Sequence, residues 1–171
     1  MPLKSLYTET NQILLDSGEN VCYVDTAEGE TVLLFVHGMG SCLESWNKNL
    51  SELRKTARCI ALDLPGYGRS RRATNNHFSL QDCVGILHEM VRKLGIEELT
   101  IVGHSMGGQI ALLFTMAYPE MVRRVFLSAP AGLEQFSEEE ALWIEQKVTV
   151  RNMFNQSEIN LRTLFDKNFY S

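Results

Sequence analysis

Ser105 lies at the centre of Gly103-His104-Ser105-Met106-Gly107, a Gly-x-Ser-x-Gly spacing that can hold a hydroxyl at the tip of a sharp strand-to-helix turn. The chemistry that suits this spacing is nucleophilic: the serine oxygen attacks an electrophilic carbon, and the covalent intermediate is later released by water. A serine hydroxyl attacks poorly at neutral pH unless a base accepts its proton. The four histidines are His37, His77, His88 and His104, so no imidazole follows Ser105 in the 171 residues. The chain therefore carries a nucleophile pattern without a later histidine to serve it.

A bare Gly-x-Ser-x-Gly arises by chance in roughly one chain in twenty of this length. Its flanks give it weight. Leu99 to Val102 reads as a short buried strand, and Met106 to Tyr118 reads as an apolar helix that ends before Pro119. The turn between them is so sharp that the nucleophile is strained, and Gly103 and Gly107 give strand and helix room to approach. The helix also directs its free N–H groups and positive dipole end at Ser105, where negative charge would develop.

The other elements alternate short β-rich runs with longer helical patterns, the rhythm of a mostly parallel sheet with helices on its faces. Gln12 to Leu15 and Val21 to Val24 read as a hairpin, and Thr31 to Val36 as a strand buried on both faces. Leu43 to Lys55 has helical spacing, Arg58 to Leu62 reads as a buried strand, and Leu80 to Leu94 carries an apolar stripe closed by Gly95. Val125 to Leu127 begins a strand that stops at Ala129-Pro130-Ala131-Gly132. Past Gly132 the character changes: Ser137 opens a capped helix, and a more polar helical stretch runs from Ser157 to Phe169.

Three landmarks occur in a fixed order: His37-Gly38-Met39-Gly40, Asp63-Leu64-Pro65-Gly66-Tyr67-Gly68-Arg69-Ser70, and Gly103-His104-Ser105-Met106-Gly107-Gly108. Together they resemble the α/β-hydrolase superfamily, in its serine-nucleophile, cap-containing, esterase-like branch, over roughly Gln12 to Gly132. The resemblance implies an α/β fold: a mostly parallel sheet with helices on both faces, lacking the family's last strands and carrying the start of a helical cap. It divides the chain into a core part, 1–132, and the beginning of a cap, 133–171. It implies Ser105 as nucleophile, the backbone N–H groups of Met39 and Met106 as the oxyanion hole, and Gly38 and His104 beside the substrate. The position of His104 in this family turns away from the nucleophile, so packing or orientation is its expected role. His37 is expected to be structural, Asp63 to anchor its loop, and His77 and His88 to face solvent or be satisfied locally.

Serine instead of aspartate at the turn looks like hydrolases of esters, thioesters or carbon–carbon bonds acting through an acyl-enzyme, and unlike the epoxide hydrolases and haloalkane dehalogenases that share the fold. The family's acid and histidine follow the serine on later loops. Their absence here leads us to expect a carboxy-terminal truncation, with the strand at Val125 to Leu127 left as an exposed sheet edge open to self-association. The expected substrate is a small acyl compound, with no cofactor and no metal. The alternative is a non-catalytic protein that keeps the hydrolase scaffold as a binding or interaction module. A third reading has another chain supply the acid and base.

Composition narrows the remaining classes. With 44% apolar and 22% charged residues the chain can bury a core, and its net charge of −5 leaves no basic patch for nucleic acid or an acidic membrane. No segment has the length of a signal peptide or a membrane span, which together with reduced cysteines leads us to expect a cytoplasmic protein. Cys22, Cys42, Cys59 and Cys83 are spaced too widely for a metal knuckle and are read as buried thiols.

Overall fold

The computed structural model describes residues 10–72, 79–133, 137–139 and Leu142. The loop around His77, most of the helix opened by Ser137 and the stretch from Ser157 to Phe169 lie outside the described residues. The chain divides into two units, Met1–Leu133 and Glu134–Ser171, and the architecture below is that of the first.

Six strands form one mixed sheet: β1 (Asn11–Leu14), β2 (Asn20–Asp25), β3 (Val32–Val36), β4 (Arg58–Leu62), β5 (Leu99–His104) and β6 (Val122–Ser128). Their spatial order is β1-β2-β4-β3-β5-β6. β1 pairs with β2, and β2 with β4, in antiparallel fashion, while β4, β3, β5 and β6 run parallel. The helices are α1 (Asn47–Leu53), α2 (Leu80–Lys93) and α3 (Met106–Ala117), with 3-10 turns at Leu43–Trp46 and Pro119–Met121.

Alternation along the strands explains why helices cover both faces. Leu34 and Val36 of β3, Ile60 and Leu62 of β4, and Leu99 and Ile101 of β5 join one buried cluster with Leu87, Met90, Ile110 and Phe114 from α2 and α3. Phe35, Cys59 and Ala61 point the other way, into a cluster with Leu43, Trp46 and Leu50. α2 starts at a reciprocal cap: the Ser79 hydroxyl accepts the Asp82 N–H at 3.1 Å, and the Asp82 carboxylate accepts the Ser79 N–H at 2.8 Å. Gly95, at φ +68°, closes the turn after its end.

The segment read as one helix from Leu43 to Lys55 is a 3-10 turn followed by a short α1. The Asp63 carboxylate accepts the Leu43 N–H at 2.7 Å and so fixes where that turn begins. β6 is longer than its apolar stretch, starting at Val122, with an irregularity in register against Leu99 and Thr100 of β5. It stands at the end of the strand order, with Phe126 and Leu127 exposed.

All four cysteines are free, and burial pushes the Cys59 and Cys83 thiols up to about 11, which makes them poor nucleophiles. Among the described residues no helix is long and apolar enough to cross a membrane.

The parallel arrangement does the positioning. β3, β4, β5 and β6 all finish at the same edge of the sheet, with Val36 level with Leu62 and Gly103, and His104 level with Ser128. The loops that follow them begin at His37, Asp63, Ser105 and Ala129, so one sheet edge receives residues from four separate stretches of sequence.

Candidate active site

Ser105 connects β5 to α3 with φ +53° and ψ −121°, a backbone conformation that a side-chain-bearing residue adopts only under strain. Both of its backbone groups are held. Its N–H donates to the Ser128 carbonyl at 3.0 Å, and its carbonyl accepts from Gly108 at 2.9 Å, Gln109 at 3.2 Å and Ala131 at 3.0 Å. Gly107 allows the sharp turn, because a Cβ there would run into the carbonyl oxygens of Val36 and His37 at the end of β3. The Ser105 hydroxyl makes no hydrogen bond to the helix it caps.

The loop after β3 approaches the same point. A Cβ on Gly38 would lie 3.0 Å from the Ser105 Cβ and 3.2 Å from the His104 carbonyl oxygen, so a glycine lets this loop pass directly against the serine. Among the described residues neither the Met39 N–H nor the Met106 N–H donates to a protein acceptor. Two unused donors thus flank the serine, one from the loop and one from the first residue of α3, where the helix dipole adds positive potential. The Met39 side chain is about half exposed.

The histidines sit elsewhere. His37 is wholly buried, with Nε2 accepting the Leu64 N–H at 3.0 Å and Nδ1 2.8 Å from the Gly38 carbonyl oxygen. Its ring stands edge-on to Tyr67. Burial pushes its pKa below the usual histidine value, against an opposing pull from the Gly38 hydrogen bond and the Asp63 and Glu44 carboxylates. His104 is exposed and turns Nδ1 to the Ser128 carbonyl at 3.1 Å, sharing the oxygen that holds Ser105 N–H. His88 stacks on Tyr118, ring centroids 3.9 Å apart.

Asp63 is wholly buried and is saturated by its own loops. Its carboxylate accepts Leu43 N–H at 2.7 Å and Arg69 N–H at 2.8 Å, and its carbonyl accepts the Ser70 hydroxyl at 2.6 Å. Cys42, Glu44 and Asp63 bring potential ligand atoms within 4.8 Å of one another. Glu44, however, is ion-paired with Arg69, and burial together with the Glu44 carboxylate pushes the Cys42 thiol up, away from the thiolate a metal needs. The cluster ties loops together. A cavity of about 300 Å³ opens at the other end of the strands, beside Val32, Arg58, Leu99 and Arg123, and is lined by neither serine, cysteine nor histidine.

Spacing singled out Ser105, the resemblance added Gly38, Met39, Met106 and His104, and the structure brings the five to one sheet edge. It missed Ser128 and Ala131, whose backbone groups grip Ser105. Their signal was the Ala129-Pro130-Ala131-Gly132 turn directly after an apolar run, which places that backbone at the strand end.

Comparison with known proteins follows this geometry. Residues 31–157 match the model of the alpha/beta hydrolase fold family. The chain is 33% identical over 125 residues to a mouse (Mus musculus) protein named epoxide hydrolase 4, a match covering 72% of this chain and 35% of the relative. It is 36% identical over 115 residues to a Cupriavidus necator protein named dihydrolipoyllysine-residue acetyltransferase component of acetoin cleaving system, covering 67% of this chain and 30% of that protein. Among solved structures, a membrane phospholipase A superposes with a TM-score of 0.80 at 24% identity, covering 92% of this chain and 51% of its own. A mutant meta-cleavage product hydrolase superposes with a TM-score of 0.75 at 30% identity, covering 91% and 55%. The chain spans about a third of the length of these curated relatives and about half of these solved chains.

Proposed function

This chain belongs to the α/β-hydrolase fold family, and from that premise we propose that it is the nucleophile-bearing part of a serine hydrolase acting on small acyl substrates through an acyl-enzyme. One observation carries the reading: Ser105 is strained at φ +53° on the β5–α3 turn with its hydroxyl unused by the helix it caps. In this reading the Ser105 oxygen attacks an acyl carbonyl, and the Met39 and Met106 N–H groups receive the charge that develops on the carbonyl oxygen. Gly38 and His104 line the place where the acyl group sits. The leaving group departs with a proton, and water then hydrolyses the Ser105 ester.

Relatives named epoxide hydrolases do not redirect this reading. A serine oxygen that opened an epoxide would form an ether, which water does not cleave under mild conditions. The same oxygen on an acyl carbon forms an ester, which water does cleave. The hydroxyl at position 105 therefore favours acyl substrates. No cofactor or metal is needed for that chemistry.

Among the described residues no histidine is turned to Ser105. His37 has both ring nitrogens engaged, His88 is stacked on Tyr118, and His104 is turned to Ser128. Donors and binding without a base leave a residual acceleration of roughly 10³- to 10⁴-fold over water. The test is hydrolysis of a p-nitrophenyl ester by the protein and by Ser105→Ala, with loss of the enzymatic rate expected. An unchanged rate in the alanine variant discards Ser105 as the nucleophile.

The same histidine placement favours a second reading, a hydrolase scaffold kept for binding. A fluorophosphonate separates the two. An adduct on Ser105 supports the enzyme, and none at concentrations that label other serine hydrolases supports the binding module.

A further inference from the structure

His37 does more than fill space at the end of β3. The Leu64 backbone N–H points at its Nε2 at 3.0 Å, and a backbone N–H can only donate. Nε2 is therefore the acceptor, and the neutral ring carries its hydrogen on Nδ1. That hydrogen is donated to the Gly38 carbonyl oxygen at 2.8 Å, and the Ser41 N–H donates to the same oxygen at 3.3 Å. The Gly38 carbonyl and the Met39 N–H belong to one peptide unit. The described chain contains no cis peptide, so the oxygen and the hydrogen of that planar unit point in opposite directions. Whatever holds the oxygen also aims the hydrogen.

We infer that His37 is a positioning residue whose Nδ1–H pins the Gly38 carbonyl and thereby presents the Met39 N–H to the charge that develops at Ser105, an inference that rests on the hydrolase reading above. The placement is consistent with the close approach of Gly38 to the Ser105 Cβ and with the free Met39 N–H. Leu64 sets the tautomer from the loop after β4, so two loops jointly fix one peptide. If Nε2 carried the hydrogen instead, it would confront the Leu64 N–H, and Nδ1 would confront a carbonyl lone pair.

Two substitutions separate the two halves of the ring. His37→Asn keeps a donor near the place of Nδ1–H, and His37→Gln keeps an acceptor near Nε2. We expect His37→Asn to leave the Met39 amide resonance and its hydrogen exchange close to those of the parent, with kcat within about 3-fold. We expect His37→Gln to shift that resonance and lower kcat on the order of 10²-fold with KM little changed, the effect of losing one oxyanion donor. Equal falls in both variants, or an unmoved Met39 amide in His37→Gln, would overturn the inference. The ring ¹⁵N spectrum of the unmodified protein supplies a second arm that does not depend on a variant folding: protonated Nδ1 is expected, and a protonated Nε2 overturns the inference. If Met39 responds as expected while Ser105→Ala hydrolyses esters as fast as the parent, the pinned peptide stands and the hydrolase reading falls.

Discussion

Replacing Ser105 by glycine and, separately, by alanine reads out the strain on which the site depends. Both substitutions remove a hydroxyl that makes no cap hydrogen bond, so neither forfeits a polar contact with α3. Only glycine also removes the Cβ. At φ +53° and ψ −121° that Cβ crowds the backbone, and residues held in such regions typically lose about 1–3 kcal/mol. Alanine keeps the crowding and glycine relieves it. Against the relief stands the greater freedom of glycine in the unfolded chain, about 0.5–1 kcal/mol. The difference leaves Ser105→Gly more stable than Ser105→Ala by about 0.5–2 kcal/mol. For a chain of this size each kcal/mol moves the melting temperature by roughly 2–4 °C, so a gap of about 1–8 °C is expected by differential scanning calorimetry at neutral pH. A glycine variant that melts at or below the alanine variant would show that position 105 is unstrained, and would remove the geometric ground for calling it a nucleophile.

Gly107→Ala places a Cβ on the Val36 and His37 carbonyl oxygens, and because these are backbone atoms at the end of the core strand they cannot swing aside. Urea unfolding should show a loss of about 3 kcal/mol, at the upper end for overpacking, and a loss below 1 kcal/mol would mean that α3 does not pack on β3 as described. For His37 the sign of the pH effect follows from its lowered pKa: as pH falls the unfolded chain protonates first, near the ordinary value of 6.5. Its contribution is therefore fully present above that pH and is lost as pH falls through the folded-state value. Urea midpoints measured on either side of pH 6.5 should drop on the acid side in the parent and drop less in His37→Gln, and parallel slopes in the two would refute the assignment.

The sheet was legible because its signal is local. Leu34 and Val36 against Phe35, and Ile60 and Leu62 against Cys59 and Ala61, alternate between two cores, so a run apolar at every position announces a strand buried on both faces. β6 was read too short because Arg123 and Arg124 interrupt its apolar run, and an exposed strand at the end of the order tolerates such residues. Strand β5 was stopped at Val102, whereas Gly103 and His104 still pair with Leu127 and Ser128. The anchoring of the 3-10 turn at Leu43 was invisible because its partner is Asp63, twenty residues downstream. At the site, Gly-x-Ser-x-Gly fixed the turn, because strand, serine and helix are contiguous. The partners of Ser105 and His37 come from other strand ends, and no local pattern encodes a hydrogen bond from Ala131 or Leu64.

That division also shows where the strain at Ser105 is held. Two of its restraints, from Gly108 and Gln109, belong to α3 and form with the helix itself. The other two come from Ser128, the last residue of β6, and from Ala131 in the turn after it, and the Ser128 carbonyl additionally takes the His104 ring. A neutral hydrogen bond contributes about 0.5–1.5 kcal/mol net, so two helical bonds alone are comparable with a strain of about 1–3 kcal/mol and do not clearly exceed it. The pair from β6 tips the balance toward the strained turn. Among the described residues β6 pairs only with β5, so half of the hydrogen bonds that hold Ser105 come from the strand at the end of the order and the turn after it. Order at that strand end and the turn at Ser105 are therefore coupled: opening the Ser128 and Ala131 contacts removes two of the four backbone hydrogen bonds that hold position 105 at its positive φ.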